Sequence, residues 1–206
     1  VSKLEFFTNP MSRGRIVRWM LEEVGAPYET HVVQYGEEMK SAAYRAINPM
    51  GKVPAIRHDG AVITECAAIC AYLADAFPEA GLAPDPTDRA AYYRWLFFAA
   101  GPVEMAVTAR ALDLEAKPDQ TVMAGYGTYE DVMDTLEIAV GGDGYLAGDR
   151  FSAADVYLGA QIGWGLQFGT MEKRPAFEAY WQRIGDRDAC YRAKGKDDAL
   201  TAKQGD

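Results

Sequence analysis

The side chains able to do chemistry fall in two stretches. Ser12 stands just past Asn9-Pro10, where a short apolar segment gives way to the first helical pattern. A hydroxyl there can cap the helix or donate to an anion held in the field of the helix N-terminus. The second stretch, Asn48 to Leu73, reads NPMGKVPAIRHDGAVITECAAICAYL. Pro49 and Gly51 fit a turn, and Pro54, with a fixed φ and no N–H, suits a strand edge or a cis bond beside Val53. Asp59-Gly60 carries the chemistry of a tight hairpin, and Glu65-Cys66 opens an apolar helix. The stretch reads as a binding edge followed by an anion site. Cys66, Cys70 and Cys190 form no CxxC and meet no histidine cluster, so neither a disulfide framework nor a zinc site is expected. His31 and His58 show no metal or triad company, and no metal is expected.

The elements that must hold these residues follow from periodicity. Lys3–Thr8 is a short aromatic strand. From Ser12, Ile16, Val17, Met20, Leu21 and Val24 share one helical face, while Arg15, Arg18 and Glu22 fall on the other. Gly25 and Pro27 stop that helix, and Tyr28–Val33 reads as a second strand, parallel to the first by the handedness of β-α-β crossovers. Residues 34–47 are polar and weakly helical. The order β-α-β-(α)-β-β-α is followed by FPEAGLAPDPT over Phe77–Thr87, whose prolines and glycine mark a linker at 80–87. A first domain over 1–79 and an all-helical domain over 88–206 are expected. Within the second, Tyr92 to Phe98 crowd a helix that Gly101-Pro102 should kink, and Thr121–Val140 reads as another. Ser152 and Asp155 match a capping box, Pro175–Ile184 gives one more helix, and Lys194–Asp206 reads as a fraying polar tail.

Bulk composition narrows the partners. The chain has 206 residues, 49% of them hydrophobic and 25% charged, an ordinary globular balance. Its net charge of -9 opposes a nucleic-acid partner, which would want a basic face. No run of residues approaches the length of a membrane span. Charge arrives at once in Lys3-Leu4-Glu5, so no leader peptide is expected, and a cytoplasmic, reducing setting is the reading.

The run Asn48-Pro49-Met50-Gly51-Lys52-Val53-Pro54 followed by Glu65-Cys66 resembles the NPxGxVP and Glu-Ser pattern of the cytosolic glutathione transferases. The likeness extends over nearly the whole chain, down to the Ser152–Asp155 box. It implies an α/β thioredoxin-like N-terminal domain, an all-α C-terminal helical domain, glutathione as co-substrate with no metal, and a homodimer.

The resemblance also assigns roles. Ser12 lies where serine-type members carry the catalytic serine, and Phe6 and Phe7 stand where tyrosine-type members have a tyrosine. In this reading the backbone of Val53, at the Pro54 edge, pairs with the cysteinyl part of glutathione, and Glu65 meets the γ-glutamyl amine. Cys66 replaces the usual serine, leaving the γ-glutamyl carboxylate to a backbone N–H, and Lys40 and Lys52 match positions that meet the glycyl carboxylate. Met11, Arg13, Met105, Arg110, Trp164 and Phe168 are the expected electrophile-pocket residues. The implied activity is conjugation of the glutathione thiolate to small hydrophobic electrophiles. The alternatives are a non-catalytic binding or regulatory relative, or a glutathione-dependent peroxidase using the same site.

Overall fold

The computed structural model describes residues 3–204, which belong to two compact units, residues 1–81 with 187–206 and residues 82–186. In the first unit the order is β1 (Leu4–Thr8), α1 (Gly14–Val24), β2 (Glu29–Val32), α2 (Glu37–Lys40), α3 (Ala42–Arg45), β3 (Ala55–His58), β4 (Ala61–Thr64) and α4 (Cys66–Ala76). The sheet runs β2-β1-β3-β4, with β1 parallel to β2 and antiparallel to β3, as the crossover rule requires. This is the thioredoxin-like order. The Asp59-Gly60 turn forms as expected, both residues with positive φ, and joins β3 to β4.

Strand alternation divides the sheet into two faces. Phe6 and Ile56 are fully buried, as are Ile16, Val17 and Met20 of α1 and Ile69 of α4. Phe7 and Ala55, on the other face, cluster with Val33, Met39 and Tyr44 of the α2–α3 region. On that second face Arg57 grips Glu5 with two hydrogen bonds of 2.7 and 2.8 Å. That grip holds the Glu5 carboxyl at about 2, well below its usual range.

Two readings of charged residues change. Arg18, assigned to the polar face of α1, is 2% exposed and donates to Asp197 Oδ1 at 2.7 Å. Asp197 lies on α10 (Asp188–Gln204), so the segment expected to fray is helical through Gln204 and packs on α1. Its last two residues, 205 and 206, lie outside the described part. Residues 187–204 therefore sit with the sheet, whereas a domain boundary read from the prolines alone groups them with the helical domain. The physical reason is the burial of Asp197, whose charge needs a partner and finds it in Arg18. The second unexpected group is His31. Its Nε2 lies 3.4 Å from Glu5 Oε1 and 3.6 Å from Glu29 Oε1, a carboxylate company that its neighbours in sequence did not reveal.

The second unit is helical: α5 (Ala90–Phe98), a π-helical turn (Ala99–Val103), α6 (Glu104–Ala111), α7 (Tyr129–Val140), α8 (Ala153–Phe168) and α9 (Pro175–Gly185). The interruption expected at Gly101-Pro102 is the π turn, whose wider register accommodates a residue that cannot donate. α7 begins at Tyr129, eight residues later than Thr121. Gly127 takes φ 69°, and Thr128 caps the helix by accepting from the Asp131 N–H at 3.0 Å. α8 is the buried centre. Its Gly159 and Gly163 let α9 approach, since a Cβ at either position would meet Ile184 or Trp181 at 2.0 and 2.7 Å. The fully buried Asp155 accepts from the backbone N–H groups of Ser152 and Leu146 and from the hydroxyls of Ser152 and Tyr180. The capping box is thus present and has grown into a four-donor network.

Candidate glutathione site

The register gathers the motif residues at one end of the sheet. Phe7 pairs with Ala55, and Ala55 pairs with Thr64. Continuing each ladder by one residue sets Thr8, Pro54 and Glu65 in one row, with the loop after β1 and the start of α4 beyond it.

The loop after β1 is organised by Asn9, which the sequence reading passed over as part of a turn. Asn9 is 2% exposed. Its Nδ2 donates to the Val33 carbonyl at 3.0 Å, and its Oδ1 accepts from the Met11 N–H at 3.0 Å. An Asn before Pro was the available signal, because its side chain closes such turns. Ser12 is half-buried in this loop. Its Oγ donates to the Asn9 carbonyl at 2.6 Å and accepts from the Gly14 N–H at 2.9 Å. The hydroxyl therefore serves the start of α1, and its proton is engaged within the loop. Gly14 must be glycine, since a Cβ there would lie 2.0 Å from Thr8 Oγ1.

The proline edge is built by a second asparagine turn. Asn48 is 3% exposed, donates to the Lys52 carbonyl at 2.8 Å and accepts from the Met50 N–H at 3.1 Å. Tyr44 OH also donates to the Lys52 carbonyl, at 2.8 Å. Gly51, at φ 56°, brings its backbone where a Cβ would lie 2.7 Å from the Met39 carbonyl. Lys40 donates to the carbonyls of Met50 and Gly51 at 3.1 and 2.6 Å, so its ammonium braces this turn. Lys52 is exposed and gives the turn its carbonyl, not its ammonium. The Val53-Pro54 bond is cis. Among the described residues neither the N–H nor the carbonyl of Val53 has a backbone hydrogen-bond partner. A strand edge left in this way can accept an extended ligand.

Glu65 caps this end of the sheet in an unusual conformation, φ 68° and ψ 124°, with an exposed side chain. A non-glycine residue there costs about 1–3 kcal/mol and is retained where its placement matters. Cys66, the first residue of α4, is 8% exposed, and its Sγ reaches the Arg13 carbonyl at 3.7 Å. That contact sets the N-termini of α1 and α4 side by side. Two helix N-termini aimed at one region make a strong anion site, because each adds about half a positive charge and several N–H donors.

The residues expected to line an electrophile pocket are less gathered. Met11 and Arg13 lie in the first unit, and Met105, Arg110, Trp164 and Phe168 in the second. Met11, Met105 and Phe168 are 66%, 55% and 69% exposed. Trp164 is half-buried. Arg110 is tied up by Glu115 and Glu130, and its guanidinium sits 3.7 Å from the Tyr129 ring centroid.

Comparison with known proteins places this geometry. Residues 11–76 match the model for the glutathione S-transferase N-terminal domain, and residues 93–188 match that for the C-terminal domain. Glutathione S-transferase GST-4.5 of Xanthomonas campestris pv. campestris is 30% identical over 193 residues, covering 87% of this chain and 91% of that protein. The chain belongs to the glutathione S-transferase family. Protein LigF of Sphingobium sp. is 46% identical over 79 residues, but that match spans only 36% of this chain and 31% of LigF. A glutathione transferase homologue from Sulfitobacter, solved with bound glutathione, has a TM-score of 0.74 and 28% identity, covering 94% of this chain and 98% of that one. The thioredoxin-like domain and the helical domain are those of the cytosolic glutathione transferases. Among the described residues no helix is long and apolar enough to cross a membrane.

Proposed function

We propose that this glutathione S-transferase binds glutathione at the β1–β3–β4 end of the sheet and conjugates its thiolate to small hydrophobic electrophiles. The observation that carries the reading is the meeting, at one sheet end, of an unpaired strand edge at Val53 and the two helix N-termini joined through Cys66 and Arg13. The cysteinyl backbone of glutathione adds to the Val53 edge beside Pro54. The γ-glutamyl amine meets Glu65, and its carboxylate meets the N–H groups that begin at Cys66. Lys52 takes the glycyl carboxylate, and Lys40 contributes by bracing the turn. The relative with bound glutathione supports the choice of co-substrate.

Ser12 activates the thiol. A free thiol has a pKa of about 8.5, and a helix N-terminus lowers it. To donate to the sulfur, Ser12 Oγ turns away from the Asn9 carbonyl, giving up a neutral bond worth about 0.5–1.5 kcal/mol for one to an anion worth about 1.5–3 kcal/mol. With about 1–2 kcal/mol from the helix field, the stabilisation reaches roughly 2–3 kcal/mol, or about two pKa units. The thiolate then attacks the electrophilic carbon directly, and the enzyme supplies proximity and charge stabilisation. Met11 and Arg13, in the loop that carries Ser12, are the side chains proposed to face the electrophile. A homodimer and a cytoplasmic setting accompany this reading.

Retention on immobilised glutathione, with turnover of a generic aryl halide by the wild type and Ser12→Ala, tests it. The variant should still bind glutathione and lose about tenfold in kcat/KM, the loss of one differential hydrogen bond. Unchanged turnover would remove Ser12 from the chemistry. Binding without turnover of any electrophile would favour a non-catalytic relative, and turnover of peroxides alone would favour the peroxidase reading.

A further inference from the structure

A groove of about 810 Å³ lies within the first unit and shares none of its lining residues with the glutathione site. It is bounded by the C-terminal half of α1, the turn through Pro27, the edge strand β2 and one face of α10. Its volume lies within the range of small-molecule sites. Leu21, Val32, Ala199 and Leu200 give its walls their apolar part, beside Tyr28 and Thr30, whose hydroxyls accept from Arg18.

The charges around it are unequal at both ends. At one end Arg192 and Lys196 both bond Glu22, which leaves one positive charge in excess. Below, Arg18 and Asp197 cancel each other, but Arg18 Nη2 and Asp197 Oδ2 have no hydrogen-bond partner. At the other end stands Lys203, exposed and lining the groove. Among the described residues the nearby acids Asp198 and Glu23 are already paired, with Arg15 and Arg187. Among the described residues, the groove's lining together with Asp197 thus carries an excess of two positive charges, on a chain of net charge -9. Lys196 and Lys203 are seven residues apart on one helix, a separation of about 10 Å along its axis at 1.5 Å per residue.

We propose that this groove binds an elongated dianion, two acidic groups separated by a rigid apolar or aromatic middle. One acid group engages Arg192 and Lys196, the other engages Lys203, and the middle lies over Leu200 and Val32. Glu22 limits the affinity, because it competes for the first pair of cations. A single-charge ligand of the same length satisfies only one end.

Biphenyl-4,4′-dicarboxylate and biphenyl-4-carboxylate separate these cases when titrated by calorimetry in the presence of saturating glutathione. The dianion should bind one to one and about tenfold more tightly than the monoanion, and backbone amide shifts should move in Gly25–Val32 and Arg192–Lys203. In Lys203→Gln the dianion should lose that advantage while the monoanion changes less than twofold. Lys203 is exposed, and an unchanged thermal midpoint checks that the variant folds. Equal affinity for the two ligands, an advantage that survives Lys203→Gln, amide shifts confined to other surfaces, or no saturable binding would each overturn the proposal. Because the readout is binding beside bound glutathione, it is independent of Ser12 and of conjugation.

Discussion

At the residue scale the site is held by side chains with no part in the chemistry itself. Asn9 satisfies Val33, Met11 and the turn around Ser12, so Asn9→Ala leaves buried backbone groups unpaired. We expect that variant to lose about 1–3 kcal/mol in denaturant unfolding and to lose activity along with Ser12's placement. Gly14→Ala forces a methyl onto Thr8 and should cost about 1–3 kcal/mol, read as a lower urea midpoint. Glu5 carries a pH signature. Its folded pKa, about 2, lies below the ordinary 4.5, so the stability it contributes is complete above about 4.5 and is lost as pH falls through the folded value. Thermal melts from pH 6 to about 2.5 should therefore fall less steeply in Glu5→Gln than in the wild type. An equal slope in both would show that other carboxylates govern acid unfolding.

At the element scale, α10 is the surprise and the most exposed to test. Its sequence is polar, and the stretch from Lys194 looks like a tail, yet Asp197 is fully buried against Arg18. Burial pushes the Asp197 carboxyl up even though the guanidinium pulls it down. Removing one partner leaves a buried charge alone, a loss of about 3–5 kcal/mol, whereas replacing both with apolar residues of similar volume costs far less. Asp197→Ala should accordingly destabilise more than the double replacement Arg18→Met with Asp197→Leu, as compared by chemical denaturation. The reverse order would mean that the pair adds net stability. α7 shows the same limit of local reading in a milder form. The apolar spacing runs back to Thr121, but the positive φ of Gly127 and the Thr128 cap decide where the helix starts.

At the scale of the whole molecule, the parts readable in sequence were those whose causes are local. The NPMGKVP turn, the Asp59-Gly60 hairpin, the cis proline edge and the Ser152–Asp155 box each rest on residues within a few positions of one another, and each is present. What could not be read depends on distant partners. Arg18 and Asp197 are 179 residues apart, and the placement of residues 187–204 with the sheet follows from them. Lys40 matches a position that meets the glycyl carboxylate in the family it resembles, but its ammonium is committed to Met50 and Gly51. Ser12 serves the helix start through Asn9 and Gly14, and the proposed mechanism asks it to give up the first of these bonds.

The proposed mechanism requires this sheet end to lower the pKa of bound glutathione's thiol, with Ser12 as donor. Ultraviolet absorbance of the thiolate, followed against pH at saturating glutathione, measures that pKa directly. In the wild type the value should lie about two units below that of free glutathione, and Ser12→Ala should raise it by about one unit. A bound thiol that titrates like the free one, or a pKa unmoved by the substitution, would contradict it.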